Sequence, residues 1–401
     1  MSKSTTPDPS VVQFRRDFQV LVRSRVRDAI QVVLEEELAD ALGCESYERS
    51  SGRRGYRNGT VTRPITTANG LQEFEVPRGR LFNEDGSTTE FQSTVLPRYA
   101  RRTAEVDEAV LGCYLAGVNS RRIRKALTPL LGEENLSKSA VSRIVARLKE
   151  LFAAWNERDL SEESYPIIYL DGIRLKVRLA RRVVSVPVLA VLGVAEDGSK
   201  RLVALRLCVS EAGIHWTELV DDLKSRGLRA PSLMISDGHK GLAKSCGLWP
   251  DAEVQRCTVH KWENLKKHCP RHAHAELKRD YDAIVYAADL ESGKTAYKEF
   301  EKKWSRLCPA VVKSLQEAGM NLLTFYNFPK AMWKSLRTTN PLENLNREFR
   351  RRTKTQASFA TEQAALTLLY GLVAFGQIRF RRIDGHRELS RLLRDYQGQV
   401  A

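Results

Sequence analysis

Apolar residues recur at helical spacing near the start of the chain. Phe14, Phe18, Val22, Val26 and Ile30 stand four apart, and that period predicts a helix over residues 11–42 with Arg and Lys on much of its opposite face. From about Gly52 to Arg98 the pattern becomes alternation among Gly, Thr and Pro. Asn69-Gly70 there is a hairpin signal, so this stretch reads as a small β-rich arm carrying arginines. The helical period returns between Val106 and Trp155 in three segments. The middle one runs Ser120-Arg-Arg-Ile-Arg-Lys-Ala-Leu, and Ser137 caps the last, which carries Ser139-Ala-Val-Ser-Arg.

Two helices joined by a short polar turn, the second opening with Ser, Lys and Arg, fit a helix-turn-helix. A basic helical bundle without base readout is the alternative. The candidate DNA contacts in this region are Arg121, Arg122, Arg124, Lys138, Ser139 and Arg143. Farther on, Tyr165–Val177, Val183–Val194 and Lys200–Val209 read as strands. An amphipathic helix follows near Ile214–Arg226, then a short strand Ser232–Ile235, a short helix, and a strand near Val254–Cys257. Three meandering strands followed by alternating helix and strand is the order of a ribonuclease H-like fold. From His260 to about Trp333 no strand is evident, and a final apolar helix spans Ala364–Phe380.

The expected fold class is therefore multidomain α+β. A helical and β-arm N-terminal DNA-binding region with a helix-turn-helix precedes a ribonuclease H-like α/β core, which an all-helical insertion interrupts. The expected segments are an N-terminal helical piece over 1–50, the arm over 51–100 and the helix-turn-helix domain over 101–158. The core follows over 159–259, the insertion over 260–335 and the rest of the core over 336–401.

Charge sharpens this picture. The 401 residues carry 65 Lys+Arg against 49 Asp+Glu, a net charge of +16, which calls for an anionic partner, nucleic acid or an anionic membrane surface. No apolar run reaches the length of a membrane span and the N-terminus has no signal-peptide core, so nucleic acid is favoured over membrane. Seven cysteines at irregular spacing read as reduced thiols in a cytoplasm.

Three carboxylates stand out. Asp171 follows Ile167-Ile-Tyr-Leu, Asp237 lies in Leu-Met-Ile-Ser-Asp-Gly-His, and Glu343 lies in Asn340-Pro-Leu-Glu. An aspartate in an apolar strand is costly unless it is paired or holds a cation, and converging carboxylates suit Mg²⁺, a hard ion that takes oxygen ligands. Each also has a plainer reading. Asp171-Gly172 is a hairpin dipeptide, Asp237 would cap a helix beginning near His239, and Glu343 sits where a capping box would place it after an Asn340 N-cap. On the helix beyond, Asn346, Arg347 and Arg350 share the face of Glu343, and Arg350-Arg351-Arg352 would grip phosphates. Cys257-Thr-Val-His260 suggests zinc, with His268, Cys269, His272 and His274 nearby, but the spacing is not a standard one. The pair is read instead as bracing the strand beside Asp237. Trp216 and Trp262 are candidates for stacking on an unpaired base, with a core role as the alternative.

Several stretches in this order resemble one family. They are Arg53-Arg-Gly-Tyr-Arg-Asn-Gly, Leu96-Pro-Arg-Tyr, Tyr114-Leu-Ala-Gly-Val-Asn-Ser-Arg-Arg-Ile-Arg, Ser139-Ala-Val-Ser-Arg, Tyr169-Leu-Asp-Gly, Ile235-Ser-Asp-Gly-His-Lys-Gly-Leu, Gln255-Arg-Cys-Thr-Val-His and Arg337-Thr-Thr-Asn-Pro-Leu-Glu-Asn-Leu-Asn-Arg-Glu-Phe-Arg-Arg-Arg-Thr-Lys. The chain resembles the Mutator-like transposases of bacterial insertion sequences. The resemblance implies a D-D-E centre in which Asp171, Asp237 and Glu343 hold two Mg²⁺ ions, with Mn²⁺ able to substitute. Cys257, His260, His239, Asn340 and Asn346 are the expected supporting residues. Asn344 departs from the family, where many members carry Arg. The implied function is binding of terminal inverted repeats, hydrolysis at the element ends and joining of the 3′-hydroxyl to target DNA. A homodimer or higher assembly would act on double-stranded DNA in the bacterial cytoplasm, at the nucleoid. A ribonuclease H-like nuclease or junction resolvase, and a domesticated DNA-binding regulator, are the alternatives.

Overall fold

The computed structural model describes residues 9–48, 51–118, 120–132, 136–179, 182–208, 212–238, 247–354, 359 and 361–389. They divide into two compact units, Met1–Arg147 and Leu148–Ala401. Helices and two sheets make this a multidomain α+β chain.

In the first unit, helix α1 (Pro9–Leu42) lies on a three-stranded antiparallel sheet of β1 (Gly55–Thr67), β2 (Gly70–Phe82) and β3 (Thr88–Glu90). The apolar period of α1 buries only toward its C-terminal end. Leu34 packs with Ile65, Phe74, Val76 and Leu96, and Leu38 and Leu42 pack with Cys44. Phe18 stays 57% exposed, so the expected apolar face does not continue inward along the N-terminal half. Polar side chains fix the remaining contact. Gln31 accepts from the Glu75 amide at 3.1 Å, and the Glu37 carboxylate accepts from the Thr94 amide at 2.6 Å.

The β1–β2 turn differs from its sequence signal. Thr67 pairs with Gly70, so the turn is Ala68-Asn69. Tyr47 is the one non-glycine with positive φ among the described residues, and Gly70 has φ +101°. An Asn-Gly type I′ turn needs positive φ at both central residues, so the glycine here serves as the left-handed residue that follows a tight turn. Helices α2 (Ala104–Leu115), α3 (Ser120–Leu131) and the start of α4 (Lys138–Glu157) complete the unit. Ser137 caps α4, its hydroxyl accepting from the Ala140 amide at 3.1 Å.

The second unit is built on a five-stranded sheet of order β6-β5-β4-β7-β8. Its strands are β4 (Ile167–Leu179), β5 (Arg182–Val194), β6 (Lys200–Leu207), β7 (Leu233–Ser236) and β8 (Glu253–Arg256). β4, β5 and β6 form an antiparallel meander, whereas β7 and β8 run parallel to β4. The near-continuous apolar runs of β4 and β5 are what a strand buried on both faces requires. On one face Ile168, Leu170, Leu189 and Val191 pack against Trp216, Leu219 and Leu223 of α5 (Gly213–Ser225). On the other, β4 meets a later helix, α11 (Asn340–Thr353).

Between them come α6 (Thr258–Lys267), α7 (His274–Val285), α8 (Leu290–Leu307), α9 (Pro309–Ala318), a series of 3₁₀ turns and the short α10 (Trp333–Leu336). No strand occurs among the described residues of this stretch, and Tyr281, Phe300, Trp304 and Leu315 give it a core of its own. The last helix, α12 (Glu362–Ala374), ends six residues before the sequence pattern suggests. Gly376 takes φ +67° and the Ile378 amide turns back to the Leu372 carbonyl at 2.9 Å. The short helix expected after Asp237 lies outside the described residues.

Candidate active site

Asp171 sits mid-strand in β4, opposite Ala190 of β5, with the strand continuing well past it. It is therefore not a hairpin residue. Alternation along β4 puts Leu170 on the α5 face and Asp171 on the α11 face. Asp237 directly follows β7, whose Ser236 is in register with Leu170. Adjacent parallel strands are about 4.8 Å apart, so the two acids leave neighbouring strands side by side. Burial first, and then the charge of Asp237, push the Asp171 carboxyl up to about 7, with Glu343 adding to the rise. The backbone amide of Gly172 and the His260 imidazole work against it.

Glu343 enters from α11. Thr339 takes the N-cap position, one residue earlier than the sequence suggests and without a side-chain capping bond, and Asn340 is the exposed first residue of the helix. That shift puts Glu343 one place too far along for a capping box. Its Oε1 instead lies 3.1 Å from the Thr339 hydroxyl and 3.7 Å from His260 Nδ1. Thr339, fully buried, also places its hydroxyl 3.4 Å from Cys257 Sγ and 3.3 Å from His260 Nδ1. A hydroxyl has one proton, so it donates to Glu343 or to Cys257 one at a time, and its oxygen can accept from a protonated His260 Nδ1. The hydrogen bond with Cys257 pushes His260 up to about 9 against the cost of burial, assisted by Glu343 and Asp171. Burial opposes ionisation of the Cys257 thiol, but the bonds to His260 outweigh it and hold the thiol below its ordinary value.

Asn346 does not share the exposed face of Arg347 and Arg350. It is 2% exposed and donates from Nδ2 to Asp171 Oδ2 at 2.8 Å, while its Oδ1 has no hydrogen-bond partner. Among the described residues, the one trio of His, Cys, Asp or Glu side chains close enough to share an ion is Cys257, His260 and Glu343, with ligand atoms within 4.8 Å of one another. His268, Cys269, His272 and His274 form no such group. The three carboxylates are less tightly gathered than that trio, Glu343 turning toward His260.

Sequence reasoning passed over three residues here. The Arg256 guanidinium donates to the carbonyl of Gly238, next to Asp237, and lies 3.3 Å from Glu317 Oε1. Lys261, wholly buried, donates to Glu317 Oε2 at 2.6 Å and to the Ser314 carbonyl at 2.7 Å. Arg256 and Lys261 belong to the stretch around Cys257 and His260, but Glu317 is some sixty positions away and no local pattern ties it to them.

The candidate DNA contacts fall in both units. Arg122, Arg124, Lys138, Ser139 and Arg143 are exposed in the first, as are Arg347, Arg350 and Arg351 in the second, with Arg352 half-buried. The side chain of Arg121 and the whole of His239 lie outside the described residues. Asn344 accepts from Arg347 at 3.0 Å. Trp216 is 2% exposed and belongs to the core, which overturns its reading as a base-stacking residue. Trp262 stacks on Tyr281 with centroids 5.8 Å apart, beneath Lys266 and Lys278. No helix among the described residues is long and apolar enough to cross a membrane.

Residues 8–380 match the family model described as transposase, Mutator family. The chain is 31% identical over 367 residues to the transposase for insertion sequence element IS905 of Lactococcus lactis, covering 91% of each protein. It is 33% identical to the transposase for ISRM5 of Rhizobium meliloti, over 88% of this chain and 86% of that one. The transposase for IS1081 of Mycobacterium tuberculosis is 34% identical over 88% of this chain and 83% of its own.

Proposed function

The chain belongs to the Mutator family of transposases, and from that premise we propose a DNA transposase with a D-D-E centre at Asp171, Asp237 and Glu343. The observation that carries this reading is the placement of Asp171 in β4 and of Asp237 just past the adjacent parallel strand β7, near enough for the charge of Asp237 to raise the Asp171 carboxyl, with Glu343 on the helix that meets β4. The strand order, a three-stranded meander with two parallel strands added beside β4, supports a ribonuclease H-like core.

The donor set fits a hard divalent cation. Two neighbouring carboxylates, one of them buried, repel each other, and a cation between them removes that penalty. The unpartnered Oδ1 of Asn346 offers a further oxygen beside them. Two Mg²⁺ ions, for which Mn²⁺ substitutes, would supply charge neutralisation at the scissile phosphate and a water made acidic enough to attack it. Asn346 holds the Asp171 carboxylate in orientation. His260, 3.7 Å from Glu343 Oε1, holds that carboxylate in orientation. Arg347, Arg350, Arg351 and Arg352 grip the backbone.

In the first unit, α3 and α4 act as a helix-turn-helix on the terminal inverted repeats, with Arg122, Arg124, Lys138, Ser139 and Arg143 toward the DNA. Hydrolysis at the element end leaves a 3′-hydroxyl, which attacks target DNA in a second displacement without a covalent protein intermediate. Two ends joined together call for a dimer or larger assembly on DNA.

The test is cleavage and strand transfer on DNA carrying the element's own ends, with Mg²⁺ or Mn²⁺. Asp171→Asn, Asp237→Asn and Glu343→Gln are each expected to bind the ends as wild type does and to give no cut or joined product. Normal joining by any of them removes that residue from the centre. Cutting without joining by wild type indicates a nuclease, and binding without chemistry a regulator.

A further inference from the structure

Asp237 leaves β7 into a glycine whose conformation would strain any other residue. Gly238 has φ +72°, and a Cβ built on it would overlap the Arg256 guanidinium. Arg256, at the end of β8, is 8% exposed and donates to the Gly238 carbonyl. Its other terminal nitrogen reaches both oxygens of Glu317, at 3.3 and 3.4 Å. Glu317 lies on α9 of the helical stretch, and Lys261 binds it from beneath at 2.6 Å with no exposure to solvent. One carboxylate thus serves two sequestered cations, and one of those cations grips the carbonyl of Gly238, the residue after the second acid.

From this geometry we propose that Arg256 is a positioning residue for Asp237, and that Glu317 makes the helical insertion part of the divalent-ion site by holding the guanidinium in place. The inference rests on the D-D-E reading and deepens it. A planar guanidinium holds its two donating nitrogens at a fixed separation and angle, one on the carbonyl and one on the carboxylate, whereas an ammonium is a single donor atom on a flexible stem and cannot span the same two acceptors from this position. Without Glu317 the guanidinium loses its fixed orientation. The Gly238 peptide then rotates, and with it the Asp237 carboxylate. Groups that orient metal ligands through a hydrogen bond typically change ion affinity about 10–100-fold when removed.

The experiment uses the full chain and Mn²⁺ as probe. Binding is measured directly by titration calorimetry, beside thermal unfolding, end-DNA binding and cleavage. Arg256→Lys and Glu317→Gln are expected to weaken Mn²⁺ binding at least about tenfold, to leave end-DNA binding intact, and to recover cleavage in part at high Mn²⁺. Glu317→Asp is expected to restore part of the affinity. Loss of thermal stability with Mn²⁺ affinity within about twofold of wild type overturns the proposal, because a purely structural ion pair gives that result. Should Arg256→Lys fail to fold, Glu317→Gln alone decides, since that side chain is 45% exposed. Asp237→Asn separates the two levels. If it binds Mn²⁺ as wild type does, the D-D-E reading itself fails. If it loses binding while Arg256→Lys and Glu317→Gln keep it, only the positioning role fails.

Discussion

Asn346 concentrates in one amide the cost of keeping a carboxylate out of water. Replacing it with leucine removes the donor to Asp171 Oδ2 and leaves a buried acid with one partner fewer. The expected loss is about 1–3 kcal/mol, read from the midpoint of urea unfolding, together with a drop in cleavage larger than stability alone accounts for. Unchanged cleavage would detach Asn346 from the site. The acids drew notice in the sequence because a charge inside an apolar run demands a reason, as in Ile-Ile-Tyr-Leu-Asp. Thr339 and Arg256 were not, because what makes them matter is contact across the fold. A buried threonine is unremarkable in sequence until Cys257, His260 and Glu343 surround its hydroxyl. Asn346 was placed with the wrong neighbours, since helical spacing gives a face but not which side of that face meets the sheet.

Helix ends and turns answer to local chemistry, which sequence shows well. Ser137 was identifiable as a cap, and Ser137→Ala is expected to destabilise the first unit by about 1 kcal/mol, measured by thermal unfolding. The sequence misled at Asn340, at the overrun past Ala374, where Gly376 turns the chain back, and at the turn it placed on Asn69-Gly70. The contact of α1 with the loop after β3 depends on charge. Although burial pushes the other way, hydrogen bonds from Ser93 and Thr94 hold the Glu37 carboxyl below its ordinary value. A carboxyl whose folded value is depressed stabilises above its unfolded value, about 4.3, and loses that contribution as pH falls through the folded value. Glu37→Gln is therefore expected to flatten the acid limb of a stability–pH curve while costing stability at neutral pH. A parallel curve for the variant would discount the contact.

For the molecule as a whole, a net charge of +16 makes salt the natural variable. Each phosphate contact contributes about 0.9 to the slope of log affinity against log salt on duplex DNA. Arg350→Ala with Arg351→Ala is expected to lower that slope by roughly 1–2 for any DNA sequence. Arg143→Ala, in the first unit, is expected to weaken the element's ends more than unrelated DNA. Equal losses on both would leave α4 with backbone contacts alone. The helical stretch between β8 and α11 also sets a schedule. Asp171 and Asp237 emerge from the ribosome early, and Glu343 follows Asp237 by roughly a hundred residues, which at about 5–20 residues per second is on the order of 5–20 s. During that interval the nascent polypeptide carries the helices of the first unit and both aspartates of the proposed centre, but not Glu343. A translation product broken off anywhere in that stretch is left in the same condition, and on the proposed D-D-E reading such a fragment would bind DNA without cutting it.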